Sequence, residues 1–245
     1  RVLIPEGVRV TYDQVAPESD RIFTIRVDGH LQFAHHDNTR MFVDTLVVDH
    51  DGTLTIGTER SPVEKPYTTE IVITNNGPID VEWDTTLVSR GIISHGVTQI
   101  HGNEKTAHMK VATDPLAGDT SITMADAPDD WNVGDTIVIA GTHYEGSHWQ
   151  NAGGDYPTRG TYYHPPEDEI RTITSVVGNV VSFADPLEFD HDTPRPDLKT
   201  SVGNYTRNVR IRSEQNDDTP IPERGHFMVM HSETADIRYA EFLGL

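Results

Sequence analysis

Four groups of side chains in this chain could do chemistry, and each has a plainer structural alternative. In VDHDGTLTIG (48–57), Asp49, Asp51 and Gly52 look like the opening of a calcium loop. An EF-hand loop also needs a glycine at position 6 for its sharp turn and a glutamate at position 12. Counting from Asp49, those positions hold Leu54 and Arg60, and an arginine repels the ion. The EF-hand reading fails. A turn remains, with calcium left open at Asp49 and Asp51 and no other cofactor expected.

The second group is the polar, aromatic-rich stretch GTHYEGSHWQNAGGDYPTRGTYYHPPEDE (141–169). A loop this long is usually functional or disordered. Aromatic faces beside polar groups suit sugar rings, whose C–H faces pack on π systems. Trp149, Tyr162 and Tyr163 are the stacking candidates, and Arg159 is a fork for a carboxylate or hydroxyl pair. The alternative is that these aromatics fold the loop onto the body of the protein. No histidine pair here has the spacing of a zinc motif. The third group is arginines. In NVRIR (208–212) and DIRYAEF (236–242), alternation turns Val209, Ile211, Ile237 and Tyr239 inward and Arg210, Arg212 and Arg238 outward. If the two strands stack, three guanidinium groups line one face, suited to carboxylate or sulfate. The alternative is ion pairing with Glu214, Asp236 and Glu241. The fourth group is His226 and His231 in GHFMVMH, candidates for a general acid or base. Five residues apart on a strand they face opposite sides, so they do not share a metal, and a structural role is the alternative.

The elements that must carry these groups are short strands set between glycines. DGHLQF (28–33) and DGTLTI (51–56) have one form, NGPIDV (76–81) repeats it loosely, and HGVTQI (95–100) keeps the glycine and the last apolar residue. Gly29, Gly52, Gly77 and Gly96 lie 23, 25 and 19 residues apart. Such glycines supply turns with φ > 0. The alternation after them sends Leu31, Phe33, Leu54, Ile56, Ile79 and Val81 to one side. Repeats of this length with short strands predict stacked coils of a β-solenoid; a β-sandwich with frequent turns is the alternative. Further on, 113–141 reads as two strands around a turn, and IRTITSVVGNVVSF (170–183) as a hairpin turning at Gly178-Asn179.

Composition narrows the partners. The net charge of −20 argues against nucleic acid. No apolar run is long enough to cross a membrane. The absence of cysteine excludes disulfides and thiolate chemistry. Aspartate supplies 24 of the 39 acids and lysine only 4 of the 19 bases. That surface fits a secreted bacterial protein, from a marine or salt-rich setting or simply an acidic one.

The ordered series LIPEGVRVTYD, FTIRVDGHLQF, LVVDHDGTLTIGT and IVITNNG resembles the G-eight domain family. RGIISHGVTQIHGNEKT, WNVGDTIVIAGT, NYTRNVRIRSE and RGHFMVMHSETADIRYAEF resemble the region C-terminal to that domain in bacterial secreted proteins and in the animal family of cell-migration-inducing hyaluronan-binding protein and transmembrane hyaluronidase. The resemblance implies an all-β chain in which a glycine-rich β-solenoid leads into a right-handed parallel β-helix, with an inserted β-hairpin region. It also implies extracellular work on polysaccharide. The expected organisation is a G-eight-like domain over 1–112, a hairpin region with the aromatic loop over 113–207, and the first coils of a truncated β-helix over 208–245. The chain stops before the histidine-rich segment of the animal relatives. No catalytic residue is carried over, and a hydrolase or lyase activity would belong to a longer parent. The expected function is binding or processing of glycan; the competing reading is a structural or adhesive surface module.

Overall fold

A computed structural model describes residues 1–78, 88–142, 167–193, 195, 197–215, 220–232 and 234–245. It divides into two compact units, Arg1–Glu104 with Arg207–Leu245, and Lys105–Thr206.

The first unit is a parallel solenoid. One sheet runs through β1 (Val2–Ile4), β3 (Arg21–Val27), β5 (Thr39–Val48), β7 (Thr69–Ile73), β16 (Val209–Ser213) and β19 (Ala240–Leu243). β5 is long enough to serve two neighbours. Its first half pairs with β7 and its second half with β8 (Gly91–Ser94), which in turn pairs with β17 (His226–Val229). The other sheet runs through β2 (Arg9–Tyr12), β4 (His30–Phe33), β6 (Thr53–Ile56), β9 (Val97–His101) and β18 (Ala235–Arg238). The pairings within both sheets are parallel. Strands after Arg207 therefore extend the same two sheets begun before Glu104.

Period-two alternation does what the sequence predicts in β4 and β6. Leu31 pairs in register with Leu54, and Phe33 with Ile56. All four are buried in one core with Val27, Val48, Ile71, Ile100, Val209 and Ile211. Ile79 and Val81 lie outside the described residues. The turn glycines act differently from expectation. Gly29, Gly52 and Gly96 are not in the left-handed region; what they require is room. A Cβ on Gly52 would lie 2.1 Å from the Val27 carbonyl oxygen, and one on Gly96 would lie 2.2 Å from that of Gly52. Each turn rests directly on the backbone of the coil before it. Gly77 is the exception: its φ is 114° and its Cβ position is open.

DIRYAEF is not one strand. Tyr239 has a φ of 53°, so the chain bends there and passes from β18 in one sheet to β19 in the other. Ile237 packs on the core as expected, but Tyr239 sits at the corner and donates its hydroxyl to Glu104.

The second unit is an antiparallel sheet in the order β10 (His108–Lys110), β15 (Ser201–Asn204), β12 (Thr136–Ile139), β13 (Glu169–Val177), β14 (Val180–Phe183) and β11 (Ser121–Thr123). β13 and β14 form the expected hairpin, with Gly178 at a φ of 59°. β11 and β12 do not pair with each other; β11 joins β14, and β12 lies between β13 and β15. Trp131, Ile137, Ile173, Val181 and Phe183 fill a core of its own.

Gly52→Ala should destabilise the solenoid by about 3 kcal/mol, because the methyl group meets fixed backbone and not a mobile side chain. At Gly203 an added Cβ meets its nearest atom at 3.7 Å, so Gly203→Ala should change stability by less than about 0.5 kcal/mol. Urea denaturation of the two variants is the measurement. Wild-type stability in Gly52→Ala would refute the close approach.

Candidate functional site

Three successive turns of the solenoid bring polar side chains together. Glu6, Asp28 and Asp51 come from the turns between β1 and β2, β3 and β4, and β5 and β6, and Arg9, His30 and Thr53 are the first residues of the strands that follow, β2, β4 and β6. They line a cleft of about 250 Å³. The glycines that let the coils approach are what stack these turns. Asp28 accepts a hydrogen bond from Arg26 Nε at 2.7 Å, and the same guanidinium reaches Asp49 at 2.5 Å. The bond to Asp28 and the charge of Asp49 hold Arg26 above the usual arginine range. Arg9 donates to Gln32, and a His30 ring nitrogen lies 3.0 Å from the Thr55 hydroxyl. Burial, then the neighbouring Arg9, pushes His30 below the usual imidazole value, so it is neutral at neutral pH. Glu6 and Asp51 are exposed, and no partner occupies their carboxylates among the described residues.

Of the sequence candidates, Asp51 reaches this cleft, while Asp49 is engaged by Arg26. Among the described residues no group of three or more histidines or acids is arranged to hold a metal ion. The three arginines do not line one face. β16, with Arg210 and Arg212, and β18, with Arg238, belong to different sheets because of the bend at Tyr239. Each is also paired. In register across the first sheet, Arg40, Glu70, Arg210 and Glu241 form a column of alternating charge. Glu70 binds Arg40 at 2.6 Å and Arg212 at 2.7 Å, and Arg210 reaches Glu241 at 3.0 Å. Burial resists ionisation of Glu70, but the two guanidinium groups outweigh it and hold the carboxyl low. Arg238 bridges Glu59 and Asp236.

His226 lies in β17, and His231 comes after it in the left-handed region. His231 stacks on His95 with ring centroids 6.2 Å apart, and His95 lies against His50 at 5.1 Å. Sequence reasoning missed this column, although DHDG, SHG and MHS each carry a histidine at a turn. It also missed Glu6, Arg9 and His30, which are ordinary residues until three coils stack.

Trp149, Arg159, Tyr162 and Tyr163 lie outside the described residues. The stem that carries their loop does not. β12 ends at Ile139 and β13 begins at Glu169. His191, fully buried, spans the gap: Nδ1 donates to the Ala140 carbonyl and Nε2 meets Glu169, each at 2.9 Å. Asp168 accepts from the Gly141 amide at 2.7 Å. Glu169 also receives the Glu188 and Phe189 amides and the Arg171 guanidinium. Burial works against its charge, but those amides, His191 and Arg171 together hold its carboxyl below the usual range.

This is an all-β protein whose first unit is a parallel solenoid. Residues 1–112 match the model of the G8 domain. A G8 domain-containing protein of Dictyostelium discoideum is 27% identical over 222 residues, covering 87% of this chain and 18% of that protein. Fibrocystin-L of Mus musculus is 25% identical over 226 residues, covering 87% of this chain and 5% of its own length. The chain thus spans under a fifth of either relative. Among solved structures, the tailspike gp61 of Pseudomonas phage phi297 aligns over 87% of this chain and 26% of its own, with 14% identity and a TM-score of 0.31. The Gp54 tailspike of Acinetobacter baumannii bacteriophage AP22, in complex with A. baumannii capsular saccharide, aligns over 91% and 29%, with 16% identity and a TM-score of 0.30. Among the described residues no helix is long and apolar enough to cross a membrane.

The depressed Glu169 carboxyl sets a pH dependence. Its stabilising contribution is full above the ordinary glutamate value and is lost as pH falls through the lower folded value. Melting temperatures of wild type and Glu169→Gln should therefore differ most near neutral pH and converge as pH drops below about 4. A gap that stays constant with pH would contradict the charged stem.

Proposed function

We propose that this chain is an extracellular glycan-binding module whose unit-one turn cleft holds a sugar ring. The observation that carries the reading is that cleft. Two carboxylates with no partner among the described residues, a guanidinium, a neutral imidazole and a threonine hydroxyl line about 250 Å³. Sugar hydroxyls both donate and accept, so adjacent carboxylate acceptors and guanidinium donors suit them. The cleft is acidic on balance, in a chain of net charge −20. It favours a neutral or amino sugar over a polyanion such as hyaluronan. The aromatic stretch with Trp149, Arg159, Tyr162 and Tyr163, which lies outside the described residues, is a second candidate contact for glycan. We assign no catalytic residue; His226 and His231 are read as structural, and cleavage would belong to a longer parent. The competing reading, a structural or adhesive module, draws support from the alternating charge column, which leaves Arg210 and Arg212 neutralised by carboxylates.

The test is a glycan array and then titration calorimetry on the best neutral ligand. Arg9→Ala should weaken binding about ten-fold, or about 1.4 kcal/mol, with little change in melting temperature. Trp149→Ala reports on the loop separately. An unchanged Kd in both Arg9→Ala and Asp51→Ala, for a glycan that the wild type binds, would refute the cleft as the site.

A further inference from the structure

We propose that Lys105 and Asn204 join in an internal amide cross-link, with Asp135 moving the protons. The three side chains meet in the second unit around one oxygen atom. Lys105 Nζ lies 2.7 Å from Asp135 Oδ2, and Asn204 Nδ2 donates to the same oxygen at 2.8 Å. The amine and the carboxamide are therefore second neighbours across a single atom. The site is enclosed: the Lys105 and Asp135 side chains are 10% and 8% exposed, and Asn204 is fully buried.

Each part that an acyl transfer needs is present. The nucleophile is a lysine amine beside a carboxylate that can take its proton. The electrophile is the Asn204 carboxamide. Its orientation is fixed by its partners, because Nδ2 faces a carboxylate while Oδ1 accepts from the Thr206 amide at 3.0 Å. That amide is placed to stabilise the negative charge that develops on Oδ1. The Asn132 amide, at 2.9 Å from Oδ2, holds the Asp135 carboxylate in position. Proximity of this kind, in a largely enclosed site, supplies much of the barrier reduction in intramolecular reactions.

The step balances without an outside reagent. The Lys105 ammonium passes a proton to Asp135, and the free amine attacks Asn204 Cγ. The Nζ–Cγ bond forms, the Cγ–Nδ2 bond breaks, and Asp135 returns protons to the departing nitrogen. Ammonia leaves as ammonium, Asp135 is again a carboxylate, and nothing is oxidised or reduced.

Two further observations bear on this site. The chain uses 15 arginines and only 4 lysines. An arginine would serve for an ion pair to Asp135, but only the lysine amine is readily acylated. Lys105 is also the first residue of the second unit and Asn204 lies in its last strand. The bond would clasp the unit where it begins and ends. The Asn204-Tyr205-Thr206 sequon uses the same nitrogen; buried and hydrogen bonded, it is closed to glycosylation in the folded state.

The test is intact mass spectrometry of the purified full chain after incubation at 37 °C, and then proteolysis. The expected result is a mass lower by one ammonia and a branched peptide joining Lys105 to Asn204. Lys105→Arg should remain at its full calculated mass, as should Asp135→Asn if it folds. A wild type at full mass, with Lys105 and Asn204 in separate peptides, overturns the proposal whether or not the variants fold. So does ammonia loss with a chemically free Lys105 amine, since that would mark an asparagine succinimide.

Discussion

The solenoid depends on how closely one coil of backbone can lie on the next at its corners. At Gly29, Gly52 and Gly96 the α-carbon faces a carbonyl of the preceding coil with no space for a side chain. The contact is backbone on backbone and sets both pitch and register. Once Gly52 rests on Val27, Leu54 must fall beside Leu31 and Ile56 beside Phe33. A slip of one residue would turn the whole apolar set out to water. The same stacking brings Glu6, Asp28 and Asp51 to one cleft, and His50, His95 and His231 to one column.

Stacking in register would be costly for an acidic chain if like charges fell on neighbouring coils. On the first sheet they do not. Arg40, Glu70, Arg210 and Glu241 alternate along the outer face, and Arg212 adds a second cation to Glu70. The Arg40 and Arg210 side chains of these pairs are about half exposed, and ion pairs open to solvent contribute only about 0.2–1 kcal/mol. Their larger effect is on recognition, because guanidinium groups already engaged by carboxylates are poor sites for a polyanion. The balance differs at the turn cleft, where Glu6 and Asp51 are exposed and, among the described residues, no partner occupies their carboxylates.

The second unit is held by different means. Its strands are antiparallel, and among the described residues its buried charges are concentrated at two places, the loop stem around Glu169 and the cluster around Asp135. At each, one carboxylate gathers several donors from distant parts of the chain: Glu169 takes backbone amides, a guanidinium and an imidazole, and Asp135 an ammonium, an amide and a carboxamide. Such clusters hold their geometry because removing any partner would strand a buried charge.

The sequence by itself determined the class of structure. Alternation after Gly29 and Gly52 is local information, and it is enough to predict short strands, an inward set and coils of about two dozen residues. The Gly178-Asn179 hairpin is legible for the same reason. Neighbour-to-neighbour patterns could not say why the glycines are needed, since the atoms that exclude a Cβ at Gly52 belong to Val27, one coil earlier. Nor could they reveal that DIRYAEF bends at Tyr239, because alternation does not register a change of sheet. That bend separated Arg238 from Arg210 and Arg212. The cleft, the charge column and the Lys105–Asp135–Asn204 cluster were decided only by tertiary structure. Their members lie tens of residues apart and have ordinary neighbours in sequence. Only the parallel stacking of coils in one unit, and the closing of first segment on last strand in the other, brings them within hydrogen-bonding reach.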